Sequence, residues 1–245
     1  MKVCVITDNR IIYKEFKRIT ANRPEEFHFF YSEKNVKFHQ EYADDCSFKP
    51  ITLTDCESSF FSNYDLFISL HCKQLFPSRL VNNHRCVNIH PGLNPFNRGW
   101  FSQTFSILNH YPVGVTIHEM DEELDHGPII VQKEIAIESW DTSYDVYEKI
   151  ISTEIDLLEK NLDDIINNNY VARPMTNEGN INYKKDFDEL CKLDLNSVGT
   201  LEEHIDLLRA MTFSGYENAF FIDKKGNKIY VSVNLKKSND LNTSV

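Results

Sequence analysis

Residues 3–31, VCVITDNRIIYKEFKRITANRPEEFHFFY, carry two apolar patterns in succession. Val3–Thr7 is a short apolar run, as in a buried strand, and the apolar residues from Ile11 to Ile19 then recur at helical spacing. β character returns at Phe27–Tyr31. A strand, a helix and a second strand in this order predict parallel strands joined by a crossover helix.

Three further apolar runs, each bounded by polar residues, continue the alternation at Leu66–Leu70, Cys86–Ile89 and Val113–Ile117. Thr142 and Asp145 then have the spacing of a helix cap ahead of a long amphipathic stripe, which we expect to close the first domain. Alternating strands and helices favour a sheet covered on both faces. We therefore predict an α/β fold with a Rossmann-like, mainly parallel sheet.

The segment after the long helix predicts a domain boundary. Residues 167–179 are polar and contain four asparagines, one proline and one glycine, which favour turns over helices and strands. We therefore expect a catalytic domain over residues 1–175 and a smaller C-terminal unit over residues 176–245.

The C-terminal unit is predicted to contain a helix and a β-hairpin. Thr200 and Glu203 form a capping box ahead of an amphipathic stretch, and the apolar runs 219–222 and 229–233 flank a polar turn. A hairpin of this size is marginally stable alone, so it should pack on another surface. We expect the unit to serve nucleotide binding or dimerisation.

Composition and charge limit the functional classes. The 245 residues carry a formal net charge of −11, which disfavours a broad electrostatic grip on nucleic acid. We find no apolar stretch long enough to cross a bilayer and no signal peptide, so we expect a cytoplasmic protein without a membrane partner. The six cysteines form no C-x-x-C pair and are expected to be reduced thiols.

The strand that begins at Cys86 carries the first candidate catalytic residues. Because side chains alternate along a strand, Asn88 and His90 face the same side, and Pro91 keeps His90 extended. The pair lies at the expected carboxyl end of the strand, where open α/β sheets bind their ligands. Asp125 lies downstream in a turn-prone segment that can return toward the same crevice.

Asn88, His90 and Asp125 together suit acyl transfer to an amine, although each motif alone is more often an ordinary strand end or loop. This reaction needs a donor for the developing oxyanion, a base for the amine proton and a group that orients the base. We assign Asn88 as the hydrogen-bond donor to the oxyanion. His90 would accept the amine proton or share in stabilising the oxyanion. Asp125 would orient His90, as in a catalytic triad without the covalent nucleophile, and no metal is required.

The two motifs resemble those of the folate-dependent formyltransferases. They are Asn88-Ile-His-Pro-Gly-Leu93 and Leu124-Asp-His-Gly-Pro-Ile129, and the resemblance covers residues 65–135. It implies the formyltransferase fold, with Asn88, His90 and Asp125 as the catalytic residues. It also implies N10-formyltetrahydrofolate as the one-carbon donor.

Segments 69–77, 97–101 and 209–213 resemble the sugar N-formyltransferase branch of that family. The resemblance implies a dTDP-linked amino-dideoxyhexose as acceptor. We place dTDP-4-amino-4,6-dideoxyglucose first, its 3-amino isomer next and GDP-perosamine as a further alternative. It also implies a homodimer and a product used in O-antigen and lipopolysaccharide synthesis.

The same resemblance assigns binding residues. On the folate side it implies His71, Lys73, Gln74, Phe76, Met120 and Asp121. On the sugar-nucleotide side it implies Arg98, Gly99, Trp100, Tyr216, Asn218 and Lys184, although the loop around Tyr216 departs from the family pattern. Ordinary alternatives are a packed strand-end histidine for His71, a core residue for Trp100 and a solvated surface lysine for Lys184.

Several other functions fit the sequence less well. The turn after the first predicted strand, Thr7–Arg10, has no glycine, which disfavours dinucleotide binding, and there is no P-loop motif. The C-terminal unit is short and only locally basic, which disfavours a tRNA acceptor. Glycinamide ribonucleotide formylation is the main enzymatic alternative, because it uses the same donor and catalytic residues. A nucleotide-sugar or folate binding protein is the non-enzymatic alternative.

Overall fold

The computed structural model describes residues 1–238, so residues 239–245 of the expected C-terminal unit lie outside the described residues. The elements follow in the order β1 (Lys2–Thr7), α1 (Arg10–Thr20), β2 (Glu26–Ser32), α2 (Val36–Tyr42), β3 (Phe48–Ile51), α3 (Ser58–Phe61), β4 (Leu66–Leu70), α4 (Ser78–Val81), β5 (Cys86–His90), β6 (Arg98–Gly99), α5 (Ser102–Asn109), β7 (Val113–Glu119), β8 (Ile129–Ile135), α6 (Ser143–Asn167), β9 (Ile181–Asn182), α7 (Lys184–Leu190), α8 (Leu201–Met211), β10 (Phe220–Ile222) and β11 (Lys228–Tyr230).

The central sheet has seven strands in the order β3-β2-β1-β4-β5-β7-β8. The strands from β3 to β5 are parallel, whereas β7 and β8 run antiparallel at one edge. The predicted α/β, mainly parallel sheet is therefore confirmed. The strand order reverses between β1 and β4, and open α/β sheets form ligand crevices at the carboxyl ends of strands near such a reversal.

Two apolar layers cover the sheet. One layer includes α1 and α6 and receives Val87 and Ile89 of β5, whereas Cys86 packs in the layer on the opposite face. Side-chain alternation therefore places Asn88 and His90 on the Cys86 face, at the carboxyl end of β5. This geometry is the one predicted for the candidate catalytic strand.

The capping boxes at Thr142 and Thr200 are both present, and the predicted hairpin forms as β10 and β11. α8 packs against α5 of the catalytic domain. At the end of α8, buried Arg209 donates to Asp206 (2.6 Å) and to the carbonyl oxygen of Asp141 (2.9 Å). None of the helices within residues 1–238 is long and apolar enough to cross a bilayer.

The expected linker over residues 167–179 packs closely against the catalytic domain. Arg173 and Ile129 exchange backbone hydrogen bonds of 2.7 and 2.8 Å. Immediately after the linker, β9 pairs in parallel with β6, and Asn97 Oδ1 accepts from the side chains of Asn180 (2.7 Å) and Asn182 (3.0 Å). Because these contacts join distant segments, local turn propensity did not reveal them. The boundary between residues 175 and 176 stays a prediction.

Candidate active site

The three predicted catalytic side chains meet at the carboxyl end of β5. Asn88 Nδ2 donates to Asp125 Oδ1 at 2.9 Å, and His90 Nδ1 lies 3.5 Å from Asp125 Oδ2. Asn88 and His90 are buried, and the side chain of Asp125 is nearly so. The carboxylate thus lies between the amide and the imidazole.

Asp125 is held by contacts from three directions. Its φ of +48° lies in the left-handed region, which is unfavourable for a residue other than glycine. The backbone N–H of Gly99 donates to Oδ2 at 3.0 Å, and Asn94 Nδ2 donates to the carbonyl oxygen at 2.7 Å. Together with the bond from Asn88, these contacts hold a strained backbone, a feature that concentrates at functional sites.

The imidazole of His90 has one nitrogen toward Asp125 and one without a partner. The residue is only 3% exposed, and its Nε2 is buried with no hydrogen-bond partner within residues 1–238. Burial lowers the pKa of His90 from 6.5, and the charge of Asp125 opposes this shift. A neutral ring whose Nδ1–H faces Asp125 leaves the lone pair of Nε2 free to accept a proton.

We expect His90 to titrate below pH 6.5. Its lowered pKa keeps the ring neutral as the pH falls through 6.5, and protonation follows only at lower pH. An NMR titration of the imidazole protons, with the His90 signal assigned by its loss in His90→Asn, measures this value. A midpoint at or above 6.5 would show that Asp125 outweighs burial.

His118 is a member of this group that the sequence analysis missed. Its Nδ1 lies 2.6 Å from the carbonyl oxygen of Glu119 and donates to it, so Nε2 accepts from Asn88 Nδ2 at 3.2 Å. Burial lowers the pKa of His118, which favours this neutral form. Both Nδ2 protons of Asn88 are therefore engaged, one by Asp125 and one by His118. The sequence does contain a signal for His118. It is a polar residue in a strand whose alternate positions, Val115 and Ile117, are apolar.

A cavity adjoins the catalytic group and contains four of the six folate-side candidates. Gln74, Phe76, Met120 and Asp121 line it, whereas His71 and Lys73 do not. The full lining is Ser69, Cys72, Gln74, Leu75, Phe76, Asn88, His118, Met120, Asp121, Glu122, Glu123, Leu124 and Asp125. The lining therefore combines apolar walls with the catalytic amide and carboxylate.

The thiol in this lining is not suited to nucleophilic catalysis. Burial raises the pKa of Cys72 to about 12, so the side chain stays protonated at neutral pH. The geometry is therefore suited to direct transfer between two bound substrates rather than to a covalent thioester.

Arg98 and Gly99 reach the catalytic group from the other side. Arg98 is 3% exposed, its Nη1 donates to the carbonyl oxygen of Leu124 at 3.3 Å, and its Nε has no partner within residues 1–238. Gly99, with φ of +88°, binds Asp125 through its N–H, and Trp100 is half-buried beside it. The buried guanidinium leaves a donor available for an anionic group.

The remaining sugar-nucleotide candidates lie apart from Arg98. Tyr216 is 62% exposed and lies in edge contact with Phe213, and Asn218 closes the same loop by donating to the carbonyl oxygen of Met211. Lys184, which follows β9 after one residue, pairs with Asp188 at 2.6 Å on the surface of α7. Within the described chain, no hydrogen bond, ion pair or ring contact joins these side chains to Arg98.

One set of possible metal-ligating side chains is found in residues 1–238. Glu123, His126 and Glu178 approach one another near the cavity, but they are exposed or half-buried. His126 pairs with Asp121 at 2.7 Å, and Glu178 lies 3.6 Å from Arg98. Because His126 and Glu178 already have these partners, the set alone does not define a metal site.

Two family models match the chain. The formyl transferase model matches residues 3–162, and the model described as the N-formyltransferase dimerization C-terminal domain matches residues 186–237. The first match contains the whole catalytic group, and the second contains α8 and the hairpin.

Three known proteins illustrate the similarity. The dTDP-4-amino-4,6-dideoxyglucose formyltransferase of Mycobacterium tuberculosis is 51% identical over 173 residues, which is 71% of this chain and 74% of that protein. The crystal structure of a 4-N formyltransferase from Francisella tularensis superposes with a TM-score of 0.92 at 44% identity, covering 97% of this chain and 98% of that one. A sugar 3-N-formyltransferase solved with dTDP and 5-N-formyl-THF has a TM-score of 0.73 at 25% identity, covering 89% and 82%. The chain therefore belongs to the sugar N-formyltransferases of the formyl transferase family.

Proposed function

We propose that this enzyme transfers the formyl group of N10-formyltetrahydrofolate to the 4-amino group of dTDP-4-amino-4,6-dideoxyglucose. The observation that carries the chemistry is the buried Nε2 of His90, which has no hydrogen-bond partner in the described part of the chain, with Asp125 beside the other ring nitrogen. The named activity of the M. tuberculosis relative, at 51% identity, supports the choice of acceptor.

In this proposal, His90 is the general base. Its neutral ring accepts a proton at Nε2 from the amine that attacks the formyl carbon. His90 would return this proton to N10 of the donor as the bond between N10 and the formyl carbon breaks, which releases tetrahydrofolate and restores the neutral ring. Asp125, 3.5 Å from Nδ1, stabilises the imidazolium that forms and keeps the ring in its working orientation. The buried setting strengthens that attraction, because the effective dielectric constant there is low.

Asn88 is the proposed donor to the oxyanion. Both Nδ2 protons are engaged in this structure, so Asn88 must release one partner before it can donate to the substrate oxygen. The bond to His118 is the longer, at 3.2 Å against 2.9 Å for Asp125. We therefore propose that Asn88 exchanges His118 for the formyl oxygen while keeping Asp125.

The cavity beside Asn88 fits the folate donor chemically. Phe76 and Met120 offer apolar surface for a flat heteroaromatic ring, and Asp121 offers a carboxylate to ring N–H groups. When bound, the donor supplies the activated formyl group. The residues of the chain supply orientation, exclusion of water and proton transfer.

On the acceptor side, we propose that Arg98 binds the diphosphate. A guanidinium forks onto phosphate oxygens, and the Nε of Arg98 has no hydrogen-bond partner among residues 1–238. Trp100 flanks it, and Lys184 is the next cation along β9 and α7. Tyr216 and Asn218 remain proposals for the nucleotide end, because the structure shows them in a separate loop.

An end-point assay tests the reaction. The chain is incubated with N10-formyltetrahydrofolate and, separately, dTDP-4-amino-4,6-dideoxyglucose, its 3-amino isomer, GDP-perosamine and glycinamide ribonucleotide, and products are identified by mass. We expect a formyl mass gain on the first acceptor. Gain on glycinamide ribonucleotide alone would overturn the acceptor but keep the mechanism, and no gain on any acceptor would favour a binding protein.

We also propose that residues 186–237 join two copies into a homodimer that acts in the cytoplasm. The dimerization family match supports this, as do the exposed apolar side chains of Ile222, Ile229 and Tyr230 on the hairpin. Light scattering after size-exclusion chromatography measures the mass in solution. A monomer at all concentrations would contradict the proposal.

A further inference from the structure

His71 faces the side of the sheet opposite to the one that strand alternation predicts. Strict alternation would place His71 on the same face of the sheet as Ser69. Ser69 lines the cavity and pairs in register with Asn88 of the neighbouring strand. The φ of His71, +57°, lies in the left-handed region and ends the alternation. The imidazole instead meets Glu154 of α6, in the layer that covers the other face of the sheet.

Glu154 is a fully buried carboxyl group whose single hydrogen-bond partner within residues 1–238 is His71. The residue is 0% exposed, and its two oxygens lie 2.7 and 2.8 Å from His71 Nε2. Burial raises the pKa of Glu154, and His71 opposes that shift. A buried carboxyl group costs desolvation energy that an apolar side chain of similar size avoids. Stability alone therefore gives no reason for a glutamate here, and its effect must lie in the segment that His71 holds.

Asn9 indicates which tautomer of the His71 ring is present. Asn9 Oδ1 accepts from two backbone N–H groups at the start of α1, at 3.0 and 3.2 Å, so its orientation is set by the helix cap. Its Nδ2 then donates to the hydroxyl of Tyr147 (2.7 Å) and to His71 Nδ1 (3.1 Å). Because Nδ1 accepts, Nε2 carries the proton and donates it to Glu154.

The turn that begins at His71 forms one wall of the cavity. Cys72 and Gln74 line the cavity, and the N–H of Lys73 between them donates to Asp8 at 2.8 Å. Gln74 Nε2 donates to the carbonyl oxygen of Ile51 at 3.0 Å. The direction in which this wall leaves β4 is set by the left-handed backbone of His71.

We propose that Glu154 is a positioning residue for the one-carbon donor: through His71, it holds the left-handed turn that places Cys72 and Gln74 in the donor cavity. This inference rests on the proposed function, because it requires the folate donor to occupy that cavity. Glu154 lies in the layer behind the sheet, so its effect on the donor passes through the backbone of His71.

The main test is Glu154→Met, which leaves the buried Nε2–H of His71 without an acceptor. We expect the dissociation constant of 5-formyltetrahydrofolate, measured by calorimetry, to rise about ten-fold. Binding of the sugar nucleotide should stay within about two-fold, because Arg98 lies on the other side of Asp125. Glu154→Gln keeps an acceptor without the charge and should show a smaller rise.

Leu158→Ala is the matched control, because Leu158 is buried one turn later in the same helix. It should lower the melting temperature and leave folate affinity unchanged. If Glu154→Met lowers the melting temperature but binds 5-formyltetrahydrofolate as wild type does, the glutamate is merely structural and the inference is overturned. Failure of the wild-type chain to bind folate would instead overturn the proposed function, and this inference with it.

His71→Asn tests whether Glu154 acts through His71. Asparagine tolerates a positive φ, so the turn can persist without the imidazole. In this background, Glu154→Met should add no further loss of folate affinity, because its partner is already gone. Two independent losses that add would overturn the proposed route through His71.

Discussion

His90→Asn should lower kcat by about three orders of magnitude, because asparagine has no lone pair with the basicity of an imidazole. The ring acts on the proton that leaves the amine in the transition state, so ground-state binding of the sugar nucleotide should change little. Single-turnover kinetics with both substrates saturating measures the effect. Asp125→Asn should also lower kcat. It keeps an acceptor for the N–H of Gly99 but loses the charge that stabilises the imidazolium.

Calorimetry with the sugar nucleotide is the control for this prediction. An unchanged dissociation constant shows that the pocket is intact and that the loss is in the chemical step. Turnover close to wild type in His90→Asn would mean that a different group accepts the proton.

Gly99→Ala should lower kcat by about two orders of magnitude, although the substitution adds only a methyl group. A Cβ at this position would lie 2.4 Å from the carbonyl oxygen of Asn182, so β6 must move away from β9. That movement withdraws the N–H that Gly99 donates to Asp125 at 3.0 Å. The carboxylate then loses one of the contacts that hold it beside His90.

Gly226→Ala is the matched control for backbone strain. Gly226 also has a positive φ, +86°, but a Cβ there would meet no atom of residues 1–238 within 4 Å. Both variants incur the left-handed penalty, of about 1 kcal/mol of unfolding free energy, and both should melt earlier. Equal loss of kcat in the two variants would show that strain, rather than the contact with Asn182, explains the result.

The parts of the site that could be predicted depend on local pattern. Alternation along β5 placed Asn88 and His90 on one face, and the caps at Thr142 and Thr200 marked where two helices begin. Each of these features can be predicted from the residues of a single helix or strand. The pairing of Asp125 with them needed the family resemblance as well, because its turn is indistinguishable from an ordinary loop.

The missed parts depend on contacts between distant segments. His118 becomes relevant only because antiparallel pairing sets it opposite Asn88, and a histidine in an apolar strand is otherwise typical of simple packing. The left-handed backbone of His71 could not be predicted, because this position is not a glycine. Its partner Glu154 lies 83 residues further along the chain, where the helical stripe predicted only an apolar face.

The parallel pairing of β6 with β9 has a consequence for how this enzyme can diversify. Asn182 pairs with Gly99, and Asn180 donates to Asn97. Residues after position 175 therefore form part of one wall of the candidate active site. A chimaera that swaps the C-terminal segments of two relatives at residue 175 therefore exchanges part of the support of the proposed catalytic residues along with the proposed dimer surface. Recombination after Asn182 keeps that support intact and gives evolution, or an engineer, a safer crossover point.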